Sequence, residues 1–310
     1  MRLGAVAWRT GLVLALSAAL LQIYLVKRTH EEMDRLAARL VPHGELRYER
    51  IWPLPWGAGR IWGLSFQPEG LLQLSLQTPP GLRIDARELR VDRVRLDAQG
   101  LIEHLEGRLI GVEIPVAPRP APNSRDADLA RQNWPSLHEL GVEQLEFDLQ
   151  FRVHYLAQAD LAVIEFDAAG AGLGRARMNL QLEGSPHQFQ RIQDQIRLRR
   201  LDLDFVDEGL LGRYKSAAVA RARLDPATWE RATIQALDRR MRAEQWRWDE
   251  DSRASLFGLI REPRSLRLRI DPRCDVLLRD VRRYPYSAWA GRLGFALNAT
   301  AERSPQAATR

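Results

Sequence analysis

Cysteine and lysine are almost missing from this 310-residue chain. Cys274 is the only cysteine, which excludes an intrachain disulfide and a cysteine-based metal cluster. Lys27 and Lys215 are the only lysines, so nearly all of the 46 basic side chains are arginine. Such a bias points first to a GC-rich, bacterial coding sequence, and only second to arginine forks that bind phosphate. There is no HExxH string, no GxSxG elbow and no cysteine nucleophile beside a base. The six histidines (His30, His43, His104, His138, His154 and His187) contain no i,i+4 pair, so zinc chemistry has no local signature.

Two strings look like chemistry and are read otherwise. Gly170-Ala171-Gly172-Leu173-Gly174 falls short of a dinucleotide fingerprint, because Arg175 stands where the last glycine belongs. A strand, Met178–Leu180–Leu182, follows it, so the glycines predict a hairpin or bend. Asp202, Asp204, Asp207 and Glu208 are crowded, but Asp202 and Asp204 alternate with Leu201, Leu203 and Phe205. That is the wet face of a strand rather than a cation site. The expectation is a chain that is not an enzyme and holds no cofactor or metal.

What is present is core and surface: 45% hydrophobic residues supply a sizeable core, and 28% charged residues exclude wholesale disorder. Gly11 to Val26 carries no charge, and from Trp8 it is long enough to predict an uncleaved transmembrane helix. Trp8 and Tyr24 would sit at its two interfaces. The small residues Ala15, Ser17, Ala18 and Ala19 lie inside the run, which disfavours a cleaved signal peptide. Residues 29–42 continue as a helical stalk, with Met33, Leu36, Ala37 and Leu40 in one stripe.

Period-two alternation dominates thereafter. Its clearest run is Leu145, Phe147, Leu149, Phe151, Val153 and Tyr155; others are Leu82–Ile84–Ala86, Met178–Leu180–Leu182 and Leu266–Leu268–Ile270. The phase slips by one residue at Glu88–Leu89 and at Arg199–Arg200, each read as a β-bulge or bend. Helices are predicted at Pro135–Leu140, Leu210–Ala222 and Pro226–Arg247, the last capped by Asp225. The fold class is therefore α+β: an N-terminal transmembrane helix, then a long, curved, mainly antiparallel sheet with a few packing helices. The divisions are an anchor at 1–28, the stalk at 29–42 and a first β-rich part at 43–117. A proline-rich linker at 118–130 leads to a second β-rich part with helices at 131–303 and a tail at 304–310.

The order of the pieces LRYERIWPLPWGAGRIWGLSF, LRIDARELRVDRVRL, GRLIGVEIPV, LGVEQLEFDLQFRVHY and IRLRRLDLDFVDEGLL resembles the AsmA-like and YdgA-like envelope proteins of Gram-negative bacteria. The likeness is one of alternation, glycine placement and order. It implies an inner-membrane helix, a periplasmic C-terminal part and a role in lipid handling, lipid transport or envelope maintenance. The expected function is a non-catalytic, inner-membrane-anchored envelope protein that binds lipid or maintains the envelope. The alternative is a scaffolding or assembly subunit of an envelope or secretion complex. The candidate lipid-contacting face is Leu145, Phe147, Leu149, Leu180 and Leu268. Expected partners are membrane lipids and other envelope proteins. Nucleic acid is not expected despite a pI of 9.9, since no basic motif is interleaved with aromatics. Trp52, Trp56 and Trp62 are read as core packing ahead of a bilayer-interface role, and Arg267 and Arg269 as a solvated strand face.

Overall fold

The computed structural model describes residues 22, 24–35, 37–38, 40–41, 44–54, 57–69, 81–97, 102–116, 135–185, 195–278, 280 and 291–299. They form mostly antiparallel sheet with few helices. Two compact units divide the chain: Met1–Arg95 with Leu105–Pro115, and Leu96–His104 with Val116–Arg310.

The expected transmembrane helix before the sheet is corrected. Among the described residues no helix is long and apolar enough to cross a membrane. The signal-anchor reading and the single-pass inner-membrane placement with a periplasmic C-terminal part fall with it. Trp8 and most of Gly11–Val26 lie outside the described residues. What is described of that stretch belongs to an amphipathic helix with one face on protein. Half-buried Gln22, Leu25, Val26, Thr29, His30 and Met33 recur every three or four positions. The Gln22 side-chain amide donates to the Pro53 carbonyl at 2.9 Å. Further along, the Tyr48 hydroxyl donates to Asp34 at 2.8 Å and stands 3.1 Å from the His30 ring. Tyr24, expected at a membrane interface, is a 57% exposed residue on the opposite face.

The first unit is built from β1 (Gly44–Arg47), β2 (Arg50–Pro53), β3 (Gly59–Pro68), β4 (Ile84–Leu96) as far as Arg95 and β5 (Ile102–Pro115) from Leu105, in the order β1-β3-β4-β5 with β2 also on β3. β1 and β2 are two halves of one edge, because Arg47↔Ser65 and Arg50↔Trp62 belong to the same register. The phase slip predicted in β4 has no extra residue behind it on the β3 side. Trp62↔Glu88 and Leu64↔Ala86 keep the β3–β4 register unbroken. Instead the neighbouring strands slip on the same row. The apolar positions pass from Leu46 to Ile51, from Leu64 to Ile61, from Ala86 to Leu89, and from Leu109 to Val112; of these Ile51, Ile61, Ala86 and Val112 are buried, as is Ser65 beside Leu64. Gly63 and Gly111, at φ +60° and +61°, stand on that row. A left-handed residue turns a strand about its own axis and ends simple alternation there, which glycine does without a Cβ penalty. A side chain at Gly111 would press on Arg87 Cβ at 3.3 Å.

The second unit holds β6 (Gln144–Leu156), β7 (Leu161–Gly170), β8 (Gly174–Glu183), β9 (Arg197–Val206), β10 (Ser265–Ile270) and β12 (Ala296–Asn298) in that order, with β11 (Val276–Leu277) also on β9. The slip at Arg199–Arg200 is a bulge: Gln181 pairs with Arg200 and Leu182 with Leu198, leaving Arg199 over. The glycine string closes the β7–β8 hairpin, pairing Gly170 with Gly174. At Gly174, φ is +118°, and a Cβ there would lie 2.2 Å from the Val206 carbonyl oxygen.

Between β9 and β10 run α1 (Leu210–Ala222), α2 (Pro226–Ala243) and α3 (Glu250–Arg261). Asp225 caps α2, accepting from the Thr228 N–H at 3.0 Å, with Pro226 in the first turn. α2 stops four residues before the predicted end, and α3 follows where no helix is predicted. The Pro135–Leu140 helix is reduced to a single 3-10 turn at His138–Leu140. Ser252, 1% exposed, ties α3 to the sheet: its hydroxyl accepts from the Leu297 N–H at 2.9 Å and donates to Asp249 at 2.8 Å. The core lies there, with Leu182, Leu198, Ile270, Val276, Leu293, Phe295 and Leu297 buried together.

Candidate functional site

Register divides the second unit's sheet into two chemically opposite faces. One apolar row is Leu149, Ala168, Ala176, Phe205 and Leu266; the next is Phe151, Phe166, Met178, Leu203 and Leu268. Two further rows are Val153, Ile164, Leu180, Leu201 and Ile270, then Tyr155, Ala162, Leu182, Leu198 and Val276. Strands alternate, so every residue between these points the other way.

Coverage of the apolar face is graded. In the last row all five residues are buried, from 8% exposed at Tyr155 to 0% at Val276. In the first two rows every residue is only half-buried, and so are Leu145 and Phe147 beyond them on β6. The five expected lipid-contacting residues therefore part company. Leu145, Phe147 and Leu149 lie together at the half-buried end, whereas Leu180 and Leu268 pack against the filled core. Burial, seconded by the hydrogen bond to Asp160 at 2.6 Å, pushes the Tyr155 phenol well above its ordinary range.

The opposite face is a lattice of charge. Across the strands run Gln150, Asp167, Arg177, Asp204 and Arg267, and beside them Arg152, Glu165, Asn179, Asp202 and Arg269. Opposite signs meet: Arg152–Glu165 at 3.0 Å, Arg269–Asp202 at 2.8 Å, Arg177–Asp167 at 3.2 Å, and the close pairs Arg175–Asp167 and Arg267–Asp204. Arg267 and Arg269 thus lie on a solvated face, and Asp202 and Asp204 are their partners. The Arg175 guanidinium holds the Asp167 carboxyl below its ordinary range against the opposing effect of burial. Burial by itself would raise Asp202, but hydrogen bonds from Arg200 and Arg269 outweigh it and the net shift is downward. A shallow groove of about 300 Å³ runs over this face. Its acids are already neutralised in place, and among the described residues no three His, Cys, Asp or Glu side chains cluster as a metal site requires.

Some placements were out of reach of sequence spacing. His104 and His154, fifty positions apart, meet edge-on at 5.6 Å between ring centroids. Trp52 is 50% exposed on the outward face of β2 rather than in a core, Trp62 is half-buried, and Trp56 lies outside the described residues. The end of α2 brings Arg242, Arg247 and Arg253 to one cleft with Trp246. Only the arginine abundance hinted at such a cluster. Comparison with protein-family models and with the curated proteins finds no match to this chain, so what it does is argued from its geometry.

Proposed function

We propose that the protein is a non-catalytic binding protein whose second-unit sheet shelters the acyl chain of a lipid. The carrying observation is the coverage gradient. One apolar face is filled at the Tyr155–Val276 row, yet keeps Phe147, Leu149, Phe151, Phe166 and Met178 half-exposed at the other end. Each methylene placed against such a surface gains about 0.8 kcal/mol, so length and access are the only demands on the site. This is the class of role that the AsmA-like resemblance implies. The scaffolding alternative has less to work with. At the β12 edge the strand has only three residues, and so short an edge strand offers few free backbone groups to a partner strand.

The test is a photo-crosslinking amino acid placed singly at Phe166, Leu268 and Arg152, with a radiolabelled fatty acid as probe. Phe166 should label strongly, while Leu268 (against the filled core) and Arg152 (on the charged face) should not. Equal labelling at all three positions, or none at Phe166, would remove the acyl-chain reading.

A further inference from the structure

We infer that the cleft at the end of α2 binds a small planar anion, an aromatic ring carrying a phosphate or carboxylate. The cleft holds about 410 Å³ and is lined by Met241, Arg242, Gln245, Trp246, Arg247 and Arg253. That volume lies within the range of small-molecule sites. Its floor is apolar: Met241 is 2% exposed, and the half-buried Trp246 ring stacks against Trp248 at 5.2 Å. A flat ring is what an indole surface of this kind accepts.

The rim is cationic and short of acceptors. Among the described residues three guanidinium groups line the cleft, and no carboxylate does. Asp238 serves two of them, Arg242 at 2.6 Å and Arg253 at 2.5 Å. Arg253 Nε is buried without an acceptor, and Arg247 makes no hydrogen bond or ion pair among the described residues. The nearby acids are committed elsewhere, Glu244 to Arg240 and the Trp246 indole N–H, and Asp249 to Ser252. Arginine forks with spare donors suit phosphate and carboxylate oxygens.

A local misfit singles the cleft out from a packing gap. α2 ends in a Schellman turn, in which the Trp246 N–H bonds the Met241 carbonyl at 2.8 Å and the Gln245 N–H bonds that of Arg242 at 3.2 Å. Gln245 holds the left-handed position at φ +56°, where glycine is the unstrained residue. A glutamine there gives up backbone ease and sets an amide on the cleft wall. Breaches of a local rule gather where function requires the side chain. None of these residues belongs to the acyl-chain face, so this site stands or falls by itself.

Isothermal titration of the full chain with phenyl phosphate, benzoate, phenol and inorganic phosphate tests it. Saturable binding of an aromatic anion is expected, with phenol and inorganic phosphate clearly weaker; the tighter of the two anions tells phosphate from carboxylate. Arg247→Ala should weaken binding roughly tenfold, the loss of one charge-assisted hydrogen bond, and leave the unliganded melting temperature unchanged. Gln245→Gly should raise that melting temperature by about 2 °C while weakening the same binding. The inference is overturned if neither aromatic anion saturates, if phenol binds as well as they do, or if both variants keep the original affinity.

Discussion

In the first unit four neighbouring strands change phase along one row, whereas in the second only β9 does. The consequences differ. Where β1–β2, β3, β4 and β5 slip together, the pairing of β3 with β1, β2 and β4 survives without an extra residue, and left-handed Gly63 and Gly111 take up the rotation. Where β9 slips beside a regular β8, the ladder has to leave Arg199 out. Two strings that look alike, Arg87-Glu88-Leu89 and Arg199-Arg200-Leu201, are thus a shared property of a sheet in one case and a defect of one strand in the other. A phase slip carries structural meaning only relative to its partners.

Deletions would break this comparison most sharply. Removing Arg87 restores alternation in β4 but sets it against two strands that still slip. One side or the other then loses its core face, and the chain should lose several kcal/mol, on the order of 3 or more, in urea unfolding. Intact stability in that deletion would show that the row is not shared. Next in size, Gly63→Ala and Gly111→Ala should each cost about 1–2 kcal/mol by the same measurement, since alanine is strained at positive φ. Because both glycines flank Arg87, the double variant should depart from additivity.

Removing Arg199 should cost much less, about 1 kcal/mol or under. The deletion brings Leu198 into phase with Leu201 and Leu203, and forfeits ion pairs to Glu183 and Asp275 that are partly solvent-screened. A loss as large as that of the Arg87 deletion would mean that the bulge itself is required.

The smallest effect is on pH. The carboxyls of Asp167 and Asp202 are held below their ordinary range in the folded chain. A group depressed on folding stabilises above its ordinary pKa and loses that contribution as pH falls towards the folded value. Stability should therefore be flat near neutrality and decline on acidification through the carboxylate range. Asp202→Asn should flatten that acid decline slightly; an unchanged decline would show that other groups set it.

Much of the second unit was legible. Its strands have one face on a core and one in water, so Leu145 to Tyr155 and Leu266 to Ile270 spell out their faces in period two. Asp225-Pro226 marked the start of α2 for an equally local reason, a side-chain acceptor followed by a preset φ. The end of α2 was not legible, because nothing local says that Gln245 will adopt a glycine conformation. α3 was missed because Gly258 weakens its helical signal, although its Asp249 cap is local, accepting from the Ser252 N–H; what only the fold supplies is the contact of Ser252 with Leu297. The apolar run before Lys27 misled for a related reason. Apolarity says that a face is to be covered and not by what, and the described end of that run meets the sheet at Pro53.

The residue string alone settles which side chains share a face of each strand, because side-chain direction follows from backbone geometry within a few residues. It equally settles that the chain is rich in arginine and poor in lysine and cysteine. Register, coverage and convergence were decided by the tertiary structure. Whether a slip becomes a bulge depends on the partner strand. Whether an apolar face is filled depends on α3 and the 291–298 segment, which arrive from far along the chain. The arginines meet Trp246 in one cleft because α2 stops at Ala243 and α3 returns Arg253 to its end. Each of these is a relation between distant residues, and its energy exists only once both are in place.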